Sequence, residues 1–226
     1  MRGVIDINLH DATGTSSPTS DFCVLRIELE GIHPTLWRSV VVPKSANLGW
    51  LHAVLQVAMG WTNSHLHQFR LGDQIYSDPS FNMNDFEEDP PVTDENTVTV
   101  AQVAQGRIPI LIYEYDFGDS WTHLLSSSPI SEGQSPIANR AVCVGGSRAC
   151  PPEDCGGVPG YENLLAALGN KKHPEHRAMK EWLGRPYDPE AFSVERTNRF
   201  LAKIPWPSVS APQLGRILAA LHRGNA

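Results

Sequence analysis

The order of two hydrophobic periods most limits the folds open to this chain. Near its start Cys23, Leu25, Ile27 and Leu29 alternate with Val24, Arg26, Glu28 and Glu30, the period of two shown by a strand whose faces meet different surroundings. Gly31-Ile32-His33-Pro34 reads as a turn and Leu36 to Val42 as a second strand halted by Pro43, which predicts an antiparallel pair. Helical spacing follows at Leu48, Leu51, Leu55 and Met59, between a capping Asn47 and a terminating Gly60. It dominates only beyond residue 160. There Tyr161–Leu168 closed by Gly169, Pro174–Leu183 closed by Gly184, a segment starting near Ser193, and Gln213–Arg223 are predicted helices. Strands first and helices later predict an α+β fold: a mainly antiparallel sheet, a helix from the N-terminal half packed on it, and a helical C-terminal region.

Shorter signals fill the gaps. His65 to Leu71 and Gln74-Ile75-Tyr76 predict a hairpin turning at Gly72-Asp73. Val100 to Ala104 predicts a short helix ending at Gly106, and Ile108 to Tyr115 a strand paired with Trp121–Leu125 across Asp116-Phe117-Gly118-Asp119. Residues 77–96 hold seven acids and three prolines and read as a solvated excursion. From Ser126 to Gly160, Ser, Pro, Gly and Cys replace any sustained period, and an irregular stretch of that length tends to be functional or disordered. Residues 11–21 are small and polar. The expected organisation is a flexible lead-in over 1–21, a single domain over 22–203, and an amphipathic helix in 204–226. That helix would pack on the domain through Leu214, Ile217, Leu218 and Leu221. The chain shows no internal repeat.

Charge narrows the partners. The 226 residues carry 25 acids and 18 bases, a net −7, which disfavours a nonspecific nucleic-acid coat. The distribution is uneven, with 13 acids against 5 bases in residues 1–100, and five bases with no acid from Arg196 to Arg223. That basic C-terminal edge leaves a local nucleic-acid contact open, although its interleaved Leu and Ile favour a packed helix. No run approaches the roughly 18 apolar residues of a membrane span, and Met1 to Asp6 lacks the apolar core of a signal peptide. No membrane partner is expected, and a cytoplasmic location is.

Three segments carry chemistry. In a strand, His65 and His67 would share a face, as two imidazoles must to reach one metal ion. Around the 116–119 turn, Tyr115, Asp116, Asp119, Trp121 and His123 bring carboxylates and an imidazole together, enough for a metal site or an acid/base pair. Asp, Gly and aromatics are equally what a hairpin turn and a sheet want. In the third segment Cys143, Cys150 and Cys155 stand as C-x6-C-x4-C, not as the C-x2-C knuckle of common zinc modules. Zinc is the cofactor such thiols would suit, with a fourth ligand from His123 or the His65/His67 pair. Free thiols and a disulfide are the competing accounts, and a reducing cytosol disfavours the disulfide. Glu153 and Asp154 lie in the same loop as candidate binding groups. No Walker phosphate loop, G-x-G-x-x-G, H-E-x-x-H or G-x-S-x-G occurs.

Trp37-Arg38, Leu51-His52, Ala58-Met59-Gly60-Trp61, His65-Leu66-His67-x-Phe69, Tyr115-Asp116-Phe117-Gly118-Asp119-x-Trp121-x-His123 and Cys150-Pro151-Pro152-Glu153-Asp154-x-Gly156-Gly157 follow one another in that order. Together they resemble the plasmid pRiA4b Orf-three-like family, also labelled an insertion-element passenger TnpR-like domain, from about Phe22 to Phe200. The resemblance implies an α+β domain and carries no established activity. Its TnpR label implies a resolvase, yet the N-terminal segment has no serine nucleophile supported by the arginine cluster that phosphoryl transfer needs.

The leading expectation is a non-catalytic binding or adaptor module. Its groove, between the Asp116–His123 turn and the Cys143–Gly157 loop, would take a peptide, a protein or a small ligand. The alternative is a metal-dependent hydrolase or nuclease. Asp116, Asp119 and His123 would hold the metal, the cysteines or His65 and His67 would complete the site, and Glu153 or Asp154 would act as general base. A mobile-element DNA role through the basic C-terminal segment is the third.

Overall fold

The alternation at the start of the chain forms β1 (Phe22–Leu29), which is hydrogen-bonded along both edges. β2 (Trp37–Pro43) returns antiparallel to it, setting Cys23 opposite Val42 and Ile27 opposite Arg38. A computed structural model describes residues 21–81, 91–104, 111–131 and 136–223. The lead-in over 1–20, the middle of the acidic excursion (82–90), Gly106 with the first predicted residues of the 108–115 strand, and residues 132–135 and 224–226 lie outside these.

On the other side of β1 runs β7 (Trp121–Ser128), longer than predicted and joined by the 116–120 turn to β6 (Leu111–Tyr115). β3 (His67–Leu71) pairs with β6 and turns at Gly72, φ 58°, into β4 (Gln74–Ser77), as the glycine turn predicted. The sheet runs β5-β4-β3-β6-β7-β1-β2-β8, with β5 (Val92–Asp94) and β8 (Val142–Ser147) at its edges. Every pairing is antiparallel except β4–β5.

Both edge strands correct the sequence reading. β5 falls within the supposed solvated excursion, and the 3-10 turn after it (Glu95–Thr97) carries Glu95 into the interior at 3% exposure. β8 falls within the supposedly irregular stretch. Its alternation is hidden by Gly145 and Gly146, where aromatic rings occupy the room a side chain would need. A Cβ at Gly145 would stand 3.1 Å from the Trp37 ring, and one at Gly146 2.4 Å from the Phe192 ring.

α1 (Leu48–Met59) begins and ends where predicted. Asn47 Oδ1 accepts from Trp50 N at 2.7 Å, and Gly60 closes the helix at φ 107° with its N–H on Gln56 O. The expected single apolar stripe is not what the helix shows: every residue but Gly49 is buried. The outer side is covered by α5 (Val194–Leu201), capped by Ser193, and α6 (Ala211–Arg223), both packed on α1. The Trp50 indole N–H donates to Pro205 O at 2.9 Å across the same contact. α6 brings Leu214, Ile217, Leu218 and Leu221 into the one hydrophobic core that the sheet and α1 share. Burial of four such side chains, at about 2 kcal/mol each, is ample to hold a helix of that length. α2 (Val100–Val103), α3 (Gly157–Gly169) and α4 (His176–Leu183) complete the chain, and α3 starts at Gly157 ahead of the predicted Tyr161. No helix among the described residues is long and apolar enough to cross a membrane.

Candidate functional site

Three loops meet at one end of the sheet. The first, residues 61–66, leaves α1; the second is the 116–120 turn; the third, 148–157, leads from β8 to α3. Asp116 N donates to Leu66 O at 2.9 Å, joining the first two. Gly156 N donates to Asp119 Oδ2 at 3.1 Å, joining the last two. Glu153 Oε1 ties all three together, accepting from Thr62 N at 2.6 Å, Thr62 Oγ1 at 2.7 Å and Tyr115 OH at 3.0 Å. The approach is close enough that a Cβ on Gly157 would lie 2.6 Å from Asp119 O. Non-glycine residues at positive φ concentrate here: Asn63 at 57°, Asp116 at 60°, Ser120 at 55° and Asp154 at 57°. Asn and Asp tolerate that region best, and such positions gather where a fold holds groups for use.

At the centre stands His65. Its Nε2 is 3.0 Å from Asp154 Oδ1, 3.5 Å from Asp116 Oδ2 and 3.7 Å from Glu153 Oε2. The ligand atoms of His65, Asp116 and Asp154 all lie within 4.8 Å of one another, the one such metal-competent trio among the described residues. The Asp116 side chain is divided between two tasks. Oδ1 accepts from Gly118 N at 3.0 Å and Asp119 N at 3.3 Å to hold the turn, while Oδ2 faces His65. His65 Nε2 and Glu153 Oε2 are both buried and make no hydrogen bond. One imidazole nitrogen and several carboxylate oxygens form a donor set for a borderline or hard divalent cation.

The other predicted site residues go elsewhere. His67 does not share a face with His65, which precedes β3. It points inward, 2.9 Å from Glu95 and stacked on His52 with ring centroids 3.5 Å apart. Burial pushes the Glu95 carboxyl up to about 7 and holds His67 down to about 3, since either charge would lose its water there. His123 is 0% exposed and has both nitrogens occupied. Nε2 accepts from the Trp61 indole N–H at 3.0 Å, and Nδ1–H faces Trp121 O at 3.0 Å and Tyr113 O at 3.1 Å. Trp121 is a core side chain beside Trp61. The four cysteines are free thiols, and no three of them gather with His123 around one point. Burial raises the Cys143 and Cys150 thiols, and Cys155 to about 12.

Three residues that sequence reasoning left without a role matter to this architecture. His52 accepts from Tyr113 OH and donates to Asn63 Oδ1, each at 2.9 Å, so α1 holds the root of the first loop. Glu95 had no signal, lying in an acidic run next to prolines. Arg38 had one: it shares parity with Leu36, Val40 and Val42, which are all buried, so strand alternation alone turns it inward.

The family model described as plasmid pRiA4b ORF-3-like protein matches residues 21–196. The uncharacterized protein y4hQ of Sinorhizobium fredii (strain NBRC 101917 / NGR234) is 35% identical over 179 residues, 77% of this chain and 88% of its own. Among solved structures, MM3350 from Methanosarcina mazei Go1, a protein of unknown function, is similar at a TM-score of 0.65 and 30% identity, over 77% of this chain and 96% of its own. The matched residues run from β1 into α5 and include all three loops of the cluster, and the chain belongs to the plasmid pRiA4b ORF-3-like family.

Proposed function

We propose that this chain is a ligand-binding domain that holds a divalent cation at His65, Asp116 and Asp154 and offers the cation's open coordination positions to a ligand. The observation that carries the reading is the trio within 4.8 Å, with His65 Nε2 buried and without a hydrogen bond. Leaving a buried polar atom unsatisfied costs about 1–3 kcal/mol, and a cation at the centre of the trio removes that cost. Three protein ligands leave a coordination position open, the mark of a binding or catalytic site; a structural site is closed by four. The oxygen-rich donor set favours zinc, manganese or ferrous iron bound without the thiols. Zinc held by the cysteine loop is therefore not the arrangement proposed.

One observation favours hydrolysis as a second reading. Glu153 is clamped through Oε1 by three donors, while Oε2 faces His65 at 3.7 Å without a partner. A fixed carboxylate beside a cation is placed to take a proton from a cation-bound water.

The test is calorimetric titration of chelator-stripped protein with Mn2+ and Zn2+. One site per chain is expected, weakened at least tenfold by His65→Ala and by Asp116→Asn and unchanged by Cys155→Ser. Absence of a saturable site, or equal affinity in all variants, removes the reading. Turnover of simple phosphodiester and ester probes that is lost in Glu153→Gln while cation binding persists would establish the hydrolytic form.

A further inference from the structure

Beside the cation cluster lies a cavity of about 650 Å3 that shares Thr62 and Glu153 with it. That volume falls within the range of small-molecule pockets, about 300–1,000 Å3. Its wall is built by the end of α1, the 149–153 loop, residues 185–193, and parts of α5 and α6. The lining runs against the character of the whole chain. In a protein of net charge −7, the cavity is faced by Arg38, Arg185, Arg196 and His222, against only Glu153 and Asp188.

The two acids offset only part of this charge, leaving three guanidiniums against two carboxylates. Glu153 Oε1 is taken by Thr62 and Tyr115, and Asp188 Oδ1 accepts from Glu190 N at 3.0 Å. Arg38 is 1% exposed and donates to backbone carbonyls alone: Trp37 O at 2.7 Å, Ala58, Ser147 and Arg148 O at 2.8 Å, and Met59 O at 3.4 Å. All five guanidinium donors are thus occupied, and no carboxylate compensates the charge. Arg38 contributes a positive field to the cavity and no direct contact, its Cζ lying 4.0 Å over the Phe192 ring. Contact falls to the Arg185 and Arg196 guanidiniums and the His222 imidazole. Arg196 is steadied by donating to Leu221 O, and His222 Nε2 reaches Trp61 O at 3.4 Å. Arg185 is exposed, follows the Gly184 helix cap and makes no hydrogen bond or ion pair among the described residues. Burial first, then the neighbouring Arg185 and Arg196 charges, push the His222 imidazole below its ordinary value. An anion there would pair with the two guanidinium charges and accept from the neutral imidazole.

We infer that this cavity binds a small organic anion, a phosphate or carboxylate carried on an apolar body. The oxyanion lies among Arg185, Arg196 and His222, and the body packs against Phe192, Tyr187 and Pro151. The Tyr187 wall is rigid, since its hydroxyl donates to Cys150 O at 3.0 Å and meets Tyr161 OH at 2.9 Å.

The experiment is calorimetric titration of the full chain, in EDTA at low salt, with phenyl phosphate, benzoate and the neutral benzyl alcohol. One saturable site is expected for at least one of the two acids, with benzyl alcohol at least tenfold weaker; the tighter acid identifies the anion. Arg185→Glu, on an exposed side chain, weakens the acid at least tenfold without moving the melting temperature. Ala191→Trp, filling the lining, abolishes binding of all three. Saturable binding of neither acid, equal affinity for benzyl alcohol, or full affinity in Arg185→Glu overturns the inference. EDTA keeps the outcome separate from that of the cation site.

Discussion

Asp116 shows how one residue can serve a turn and the proposed cation site together. Its backbone sits at φ 60°, its Oδ1 holds two turn amides, and its Oδ2 faces His65. Asp116→Ala orphans both amides and places a Cβ residue with no local hydrogen bond in the left-handed region, at a cost of about 2 kcal/mol. Asp116→Asn keeps the acceptor and tolerates that region, so its loss is expected to stay below about 1 kcal/mol while the proposed cation binding weakens at least tenfold. Urea denaturation of the two variants separates the roles. At this scale the turn role of Asp116 was legible, because Asp and Gly are what a tight turn wants. Trp121 and His123 were misplaced. Residue type tells what an atom can do, whereas facing depends on parity: positions 121, 123 and 125 share the buried face of β7.

Among the elements, β8 had the faintest signal and is one of the most constrained. Gly146 lies under the Phe192 ring, which in turn covers Arg38. A methyl group there must displace the ring and also press on Arg38 Cδ at 3.0 Å. Gly146→Ala is therefore expected to destabilise by about 1–3 kcal/mol through overpacking. It should also weaken binding of an organic anion in the adjacent cavity; chemical denaturation and titration check the two effects. α1 is the opposite case. Its cap, its stop and its apolar content are local, so its bounds were readable, but an all-round burial cannot be read from a helix whose covering partners, α5 and α6, lie well over a hundred residues later. β5 was missed for a related reason: three residues among acids and prolines become a strand only by pairing with β4.

For the molecule as a whole, buried histidines set the response to acid. Burial holds His52 down to about 3 and His123 to about 4, against about 6.5 in an unfolded chain. Below pH 6.5 the unfolded state takes up protons that the folded state refuses, so stability falls as pH drops towards 4. His67 and Glu95 oppose one another, since burial keeps a proton on the carboxyl and off the imidazole. His52 and His123 together give a slope of about 2–3 kcal/mol per pH unit, and the lowered His222 adds in the same direction. Urea midpoints from pH 4 to 7 measure it, and a flat profile would contradict neutral burial of these two side chains.

The chain's sequence alone determined the α+β class, the strand-then-helix order, the first helix with both its ends, the hairpin turns and the family. These follow from hydrophobic period, capping and turn chemistry, which act over a few neighbouring residues. Tertiary structure alone decided which candidates meet. His65, Asp116 and Asp154 come from loops about 40 to 50 residues apart and converge because the sheet pairs β3 with β6 and Gly157 lets the third loop close on Asp119. The same packing sent His67 and His123 into the core and gathered Arg38, Arg185, Arg196 and His222 around one cavity. Side-chain direction at long range depends on which elements pair, and no local pattern encodes it.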